Sequence, residues 1–255
     1  MAIYKSNKKV VAVYKGSTPI NKIYKGVTLV FQKSGGGGGS THLFEGTATG
    51  NFDLKINNQK IPITIDADGK WFYDTEEKII SLNEAFYNQN TVTSVDLSSF
   101  DPSNLTTADS MFRGSSLVSV DLSSFDTSNL ESASYLFSGC SKLVSLDLSS
   151  FNTSNLQNAS YLFNVCSSLV SLDLSNWNTS NLQNVSYLFG GCTSLETLDL
   201  SNFDMSKATS YTFMFNNCKK LTHIKCKQAF KDWCASKKRY IALANYNTIN
   251  WEIVA

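Results

Sequence analysis

The chain has 255 residues, 42% of them apolar and 17% charged, and a net charge of +1 at neutral pH. That length suits one or two packed domains, and with no run of roughly 18 apolar residues it offers no membrane-spanning helix. The charge is uneven: residues 1–34 hold seven lysines and no acid, 41–91 carry −4, 92–220 carry −6 and 221–255 carry +4, whereas a nucleic-acid-binding chain would present a continuous basic face. The first nine residues are basic, but no apolar stretch of leader length follows them, so no secretory signal is expected in the sequence as given.

Residues 1–34 repeat every ten residues, as Ile3-Tyr4-Lys5, Val13-Tyr14-Lys15 and Ile23-Tyr24-Lys25. Apolar and aromatic alternation broken by Gly16 and Gly26 predicts short strands and turns. So small a segment cannot bury a sufficient core alone. It is expected to act as an anchor, with Tyr4, Tyr14, Tyr24, Lys15 and Lys25 as candidate contacts to copies of itself, to another protein or to the rest of the chain. Residues 35–40, five glycines and a serine, read as a flexible linker, natural or added. Residues 41–85 predict a β-hairpin cap: Phe52, Leu54 and Ile56 alternate, as do Ile61, Ile63 and Ile65, around an Asn57-Asn58 turn. Asp66-Ala67-Asp68-Gly69 superficially resembles a calcium loop, but the later ligands and closing glutamate are missing; a hairpin turn is expected there.

A longer repeat starts at residue 86 and runs to 226. Leu117-Val118-Ser119-Val120-Asp121-Leu122-Ser123-Ser124-Phe125 returns from Leu143, from Leu169 and from Leu195, a step of 26 residues. An earlier copy around Asp96 and Phe100 lies 25 residues upstream. A fixed period of this size predicts a stack of units, none able to bury its apolar face alone. Leu143, Leu146 and Leu148 have the L-x-x-L-x-L spacing of a short strand, with Ser145, Asp147 and Ser149 on its opposite face. Turn formers follow, as in Asp126-Thr127-Ser128-Asn129. The pairs Ser128/Glu131, Ser154/Gln157 and Ser180/Gln183 read as capping boxes, and Leu130, Ala133, Leu136 and Phe137 then recur at helical spacing. Gly139, Gly191 and Asn217 stand where a left-handed residue closes a helix. The expected fold class is therefore an α/β repeat, a leucine-rich-repeat solenoid of strand plus helix, with a β-rich N-terminal cap and a small β anchor. Residues 227–255 are expected to cap its far end, with a helix around Ala229, Phe230, Trp233 and Cys234 and a strand around Trp251, Ile253 and Val254.

The unit L-x-x-L-D-L-S-x-F-D-T-S-N-L-x-x-x-x-x-L-F-x-x-C resembles the BspA-type leucine-rich repeat over roughly residues 86–226. Proteins of that kind are bacterial surface adhesins and products of phages of gut bacteria. The resemblance implies surface display and binding, not chemistry.

Cys140, Cys166, Cys192 and Cys218 share the 26-residue period and form one column. They read as thiols filling the core; disulfides between neighbours or metal ligation are the alternatives, the latter lacking histidine partners and C-x-x-C spacing. Buried thiols suit folding in a reducing compartment. Cys226 replaces a strand leucine and reads as core.

No cofactor, metal site or enzymatic activity is expected. The two histidines, His42 and His223, lie in different regions, and no catalytic triad order, phosphate loop or zinc signature is present. Ionisable residues recur as columns, whereas a catalytic site is normally unique. The clearest column is Asp96, Asp121, Asp147, Asp173 and Asp199, beside Ser145 and Ser171 and ending near His223. It reads either as a solvated face that resists aggregation or as a polar groove for glycan hydroxyls, a basic partner or cations, the partner on a host surface being a protein or glycan. Tyr135, Tyr161, Tyr187 and Phe213 form a second column, a stacking ladder or a contact surface. The expected function is that of a phage virion accessory protein, a head or tail fibre or decoration, folded in the host cytoplasm. Its residues 1–34 would bind virion structural proteins, its repeats would touch the host surface, and it would self-associate, with a trimer favoured. A cell-surface adhesin is the alternative. Neither nucleic acid nor membrane insertion is expected.

Overall fold

The computed structural model describes residues 44–74, 79, 81–97, 99–123 and 125–254, with the strand segments 2–5, 8–11, 13–15 and 18–20. Two antiparallel hairpins occupy the N-terminal segment: β1 (Ala2–Lys5) pairs with β2 (Lys8–Val11), and β3 (Val13–Lys15) with β4 (Thr18–Ile20). Each of the first two decads thus forms a strand ending at its lysine. The third decad, with Tyr24 and Lys25, and the glycine linker lie outside the described residues.

The cap is built by β5 (Phe44–Ala48), β6 (Phe52–Ile56), β7 (Gln59–Ile63) and β8 (Lys70–Tyr73). The alternation in β6 and β7 buries Phe52, Leu54, Ile56, Ile61 and Ile63. Asn57 and Asn58 join the two strands with φ of 49° and 64°, the left-handed pair of a type I′ turn. The Asp66 carboxylate accepts the N–H groups of Asp68 and Lys70, each at 2.9 Å, and so closes the turn before β8. β5 joins cap to repeats. It is antiparallel to β8 on one side and to β9 (Val92–Asp96) on the other, and β9 runs parallel to β10 (Ser119–Asp121). Only glycine fits at position 46, because a Cβ there would lie 2.0 Å from the Ser94 carbonyl oxygen.

From Leu82 onward each repeat is one coil lying on the next. Val95 pairs with Val120 in parallel register. On another edge of the coil, bridges run Thr107 to Ser132, Asn158, Asn184 and Ser210. The last coils carry β11 (Ser171–Asp173), β12 (Thr197–Leu200), β13 (His223–Lys227) and β14 (Asn250–Val254), all parallel. Buried leucine columns fill the interior with two ring ladders. One runs Phe86, Phe112, Phe137, Phe163, Phe189, Phe215, with centroids 5.4–6.1 Å apart. The other runs Phe100, Phe125, Phe151, Trp177, Phe203 at 6.0–6.5 Å. Offset rings at such spacings add to the burial they provide.

The expected helix in each repeat does not form. Among the described residues the one α-helix is α1 (Gln228–Ile241) in the C-terminal cap. The chain is mostly strands in several small sheets joined by turns, so the strand-plus-helix leucine-rich-repeat solenoid of the α/β class is overturned. The reason lies in where the backbone donors go. In an α-helix every N–H would bond four residues back along its own chain. Here the N–H groups of Ala133, Tyr135, Phe137 and Gly139 donate to Asn158, Ser160, Leu162 and Asn164 of the next coil, while Leu136, Ser138 and Cys140 donate three residues back. Alternate donors thus hold neighbouring coils together, which a helix does not allow.

The capping boxes fail for the same reason. The N–H groups of Glu131, Gln157 and Gln183 donate to Thr106, Glu131 and Gln157 of the preceding coil. Ser128, Ser154 and Ser180 instead give their N–H groups to Asp126, Asn152 and Asn178 side chains at 2.8–3.1 Å, as Asx-turns. Two residues per coil are left-handed. One column comprises Ser110, Tyr135, Tyr161, Tyr187 and Phe213 with φ of 55–59°, and the other includes Gly139, Val165, Gly191 and Asn217. Leu130, Ala133, Leu136 and Phe137 are buried as their periodicity requires, but on successive turns.

Candidate binding surface

Asp96, Asp121, Asp147, Asp173 and Asp199 do form one row across the strand face, because in-register parallel pairing sets Asp96 beside Asp121 and Asp173 beside Asp199. Asp121, Asp147 and Asp173 are exposed, and Asp96 and Asp199 half-buried. Each of the last four is fixed by its own turn: Ser123, Ser149, Ser175 and Ser201 donate their N–H groups to the carboxylate two residues back, at 2.9–3.0 Å. The Ser149 hydroxyl and N–H hold the Asp147 carboxyl below the usual carboxylate range. For Asp199, burial opposes ionisation, but bonds from Ser201 and Lys225 outweigh it and the carboxyl is again lowered.

The row then changes sign. Lys225 lies in register between Asp199 and Glu252, with Nζ 3.1 Å from Asp199. His223 is placed beside it, its Nε2 3.1 Å from Glu252 and its Nδ1 3.0 Å from the Asn250 amide. Ser145 and Ser171 are exposed next to the aspartate row.

The strand face is interrupted once. The third repeat places Ser145, Leu146 and Asp147 outside any strand, so one four-stranded sheet ends at β10 and the next begins at β11. A shallow groove of about 340 Å³ opens there, lined by Ser94, Asp96, Val120, Asp121, Asp147 and Ser149 among others.

The sequence reading missed one feature of this face. Val118, Val144 and Val170 are 54%, 54% and 41% exposed, one coil apart. Their signal was present, a valine after the first leucine of three successive repeats, but the apolar residue was absorbed into the strand pattern.

The other columns stack or bond from coil to coil. Tyr135, Tyr161 and Tyr187 stack at 4.4 and 4.6 Å with nearly parallel rings, and Phe213 continues the ladder at 5.0 Å. Arg113 covers the free face of Tyr135 at 4.5 Å. The thiols of Cys140, Cys166, Cys192 and Cys218 are buried, and each donates to the carbonyl oxygen of a phenylalanine in the preceding coil at 3.0–3.1 Å. Burial pushes Cys140 up to about 11 and Cys218 up to about 12. Cys226 is buried in register with Leu200. Of the anchor residues, Tyr4, Tyr14 and Lys15 lie on β1 and β3.

These features define a stacked-coil repeat protein with a regular polar strand face. A family model described as Mycoplasma protein of unknown function, DUF285, matches residues 80–174 and 146–239. The two matches together span more than half of the chain, which belongs to that family. No curated protein and no solved structure matches it.

Proposed function

We propose that the protein is a non-enzymatic virion accessory protein, a head or tail fibre or decoration, whose stacked coils adhere to a host-surface protein or glycan. The observation carrying this reading is the row of exposed aspartates, each held in one orientation by a backbone N–H and flanked by exposed valines. A rigid row repeating once per coil suits an extended partner with its own repeat, because ordering costs are met in folding and not in binding. Residues 1–34 attach the chain to virion structural proteins and assemble it, as a trimer. Reduced buried thiols suit folding in the host cytoplasm. Binding to host cells by the triple variant D121N/D147N/D173N tests the face. Asparagine keeps the acceptor for the serine N–H and removes the charge, so binding should fall at least tenfold with folding retained; unchanged binding rejects the strand face.

A second reading is a BspA-like adhesin on a bacterial surface. The family's description, which names a bacterial genus, favours it. Deleting residues 1–34 separates the two: loss of particle incorporation supports the virion role, and display on cells independent of any particle supports the adhesin.

A further inference from the structure

The stack does not end cleanly. In each coil the second left-handed position gives its N–H to the next coil: Gly114 to Ser138, Gly139 to Asn164, Val165 to Gly190 and Gly191 to Asn216. The equivalent donor in the last coil is Asn217. The C-terminal cap reproduces the first steps of the missing coil, since Phe213 and Phe215 donate to the carbonyls of Tyr240 and Ile241 at the end of α1. Ala242 then turns left-handed, with φ of 56°, and carries the chain away. Asn217 N–H is left without a hydrogen-bond partner among the described residues.

That donor borders a cleft of about 480 Å³ between the last coil and the segment after α1. Lys219 and Lys238 line it, and no carboxylate does. Lys238 is held over the Tyr246 ring, 5.9 Å from its centroid. Half-buried Ala242 and exposed Ala244 give the cleft an apolar side.

We propose that this cleft binds an anionic saccharide, its carboxylate or sulfate taken by Asn217 N–H, Lys219 and Lys238 and its ring resting against Ala242 and Ala244. A backbone N–H with two ammonium groups is a donor set that suits an oxyanion, and an apolar side beside it suits the C–H face of a sugar better than a free inorganic ion. The site belongs to the last coil and is independent of the strand-face reading.

The test is titration of the full-length, ¹⁵N-labelled protein with glucuronic acid, with a sulfated disaccharide and with inorganic sulfate, following the Asn217 amide resonance. A saturating shift at Asn217 with either sugar, weakened at least tenfold in K219A/K238A but not in the distant K142A, is expected. A shift with inorganic sulfate alone overturns the saccharide assignment. Shifts spread over all lysines, or unchanged in K219A/K238A, overturn the site. Both lysines are exposed, so the variants keep the fold, checked by their circular dichroism. Failure here leaves the strand-face reading where it stands, because the two are read at different coils.

Discussion

The thiol of Cys166 donates to the carbonyl oxygen of Phe137 in the preceding coil, 3.1 Å away. Both side chains are fully buried, and the same contact recurs in three neighbouring coils. The sulfur therefore fills the corner of the coil and ties it to its neighbour. Cys166→Ala removes both functions. Phe137 O also accepts the Cys140 N–H, so no carbonyl is orphaned and the loss is mainly a cavity. We expect destabilisation of about 1–2 kcal/mol, read as a lowered urea midpoint at unchanged m-value.

The same thiols make the protein sensitive to alkali. Their folded pKa values are raised from 9.0, to about 11 for Cys140 and about 12 for Cys218, by burial above all. Above pH 9 the unfolded chain therefore releases protons that the folded chain keeps, and unfolding becomes more favourable as pH rises. This contribution is complete below pH 9 and is lost progressively between 9 and 11–12. Urea midpoints should fall across that window, and the fall should be smaller in C140A/C218A. At pH 8 without denaturant, iodoacetamide should leave the column unmodified.

Val165 has φ of 60° at a position where Gly139 and Gly191 stand in the adjacent coils at 77° and 76°. A β-branched residue is strained in that region, by about 1–2 kcal/mol for an ordinary L-residue. Its side chain is 46% exposed, so little burial is lost on truncation. Val165→Gly should raise stability by about 1 kcal/mol even after the extra chain entropy of glycine. Thermal unfolding checks this; a lowered melting temperature would show that the Val165 side chain contributes more than its backbone costs.

Most of the period, the buried columns and the turn chemistry was legible in the sequence, because leucine, phenylalanine and cysteine spacing reports burial directly. The C-terminal helix was legible too, as α1 includes Ala229, Phe230, Trp233 and Cys234. The repeat helix was misread because Ser128 and Glu131 form a capping box only if their backbone donors stay within one coil, and those donors leave it. The left-handed tyrosines were illegible, since tyrosine has no preference for that region; tight ring stacking and coil-to-coil bonds hold Tyr135 and Tyr161 there. The parted sheet was equally hidden, because Ser145-Leu146-Asp147 has the same sequence as Ser171-Leu172-Asp173, which forms β11. The open donor at Asn217 depends on where Ala242 turns the chain, which no local motif announces.

Thr153 and Thr179 are buried polar links between coils. Thr153 Oγ1 donates to Asn178 O at 3.1 Å, while Thr179 Oγ1 donates to Asp204 O at 3.0 Å and accepts Asp204 N–H at 2.6 Å. Valine keeps the shape and removes these bonds. Leaving one buried group unpaired costs about 1–3 kcal/mol, so Thr179→Val, which orphans a donor and an acceptor, should destabilise more than Thr153→Val. Equal losses in denaturant midpoint would mean that the Asp204 N–H finds another partner.

The exposed valines give the strand face an apolar edge that stability alone does not require. Val144 and Val170 are 54% and 41% exposed, and under the proposed function they would supply apolar contact area to the partner that the carboxylates meet. Substitution to serine at both positions removes apolar area without touching the aspartates or the core, and such exposed changes alter stability by no more than about 0.5 kcal/mol each. V144S/V170S should therefore unfold close to the parent temperature yet bind host cells at least fivefold more weakly. Binding at parental strength by this variant, alongside weakened binding by D121N/D147N/D173N, would assign recognition to the carboxylates alone and leave the valines as bystanders.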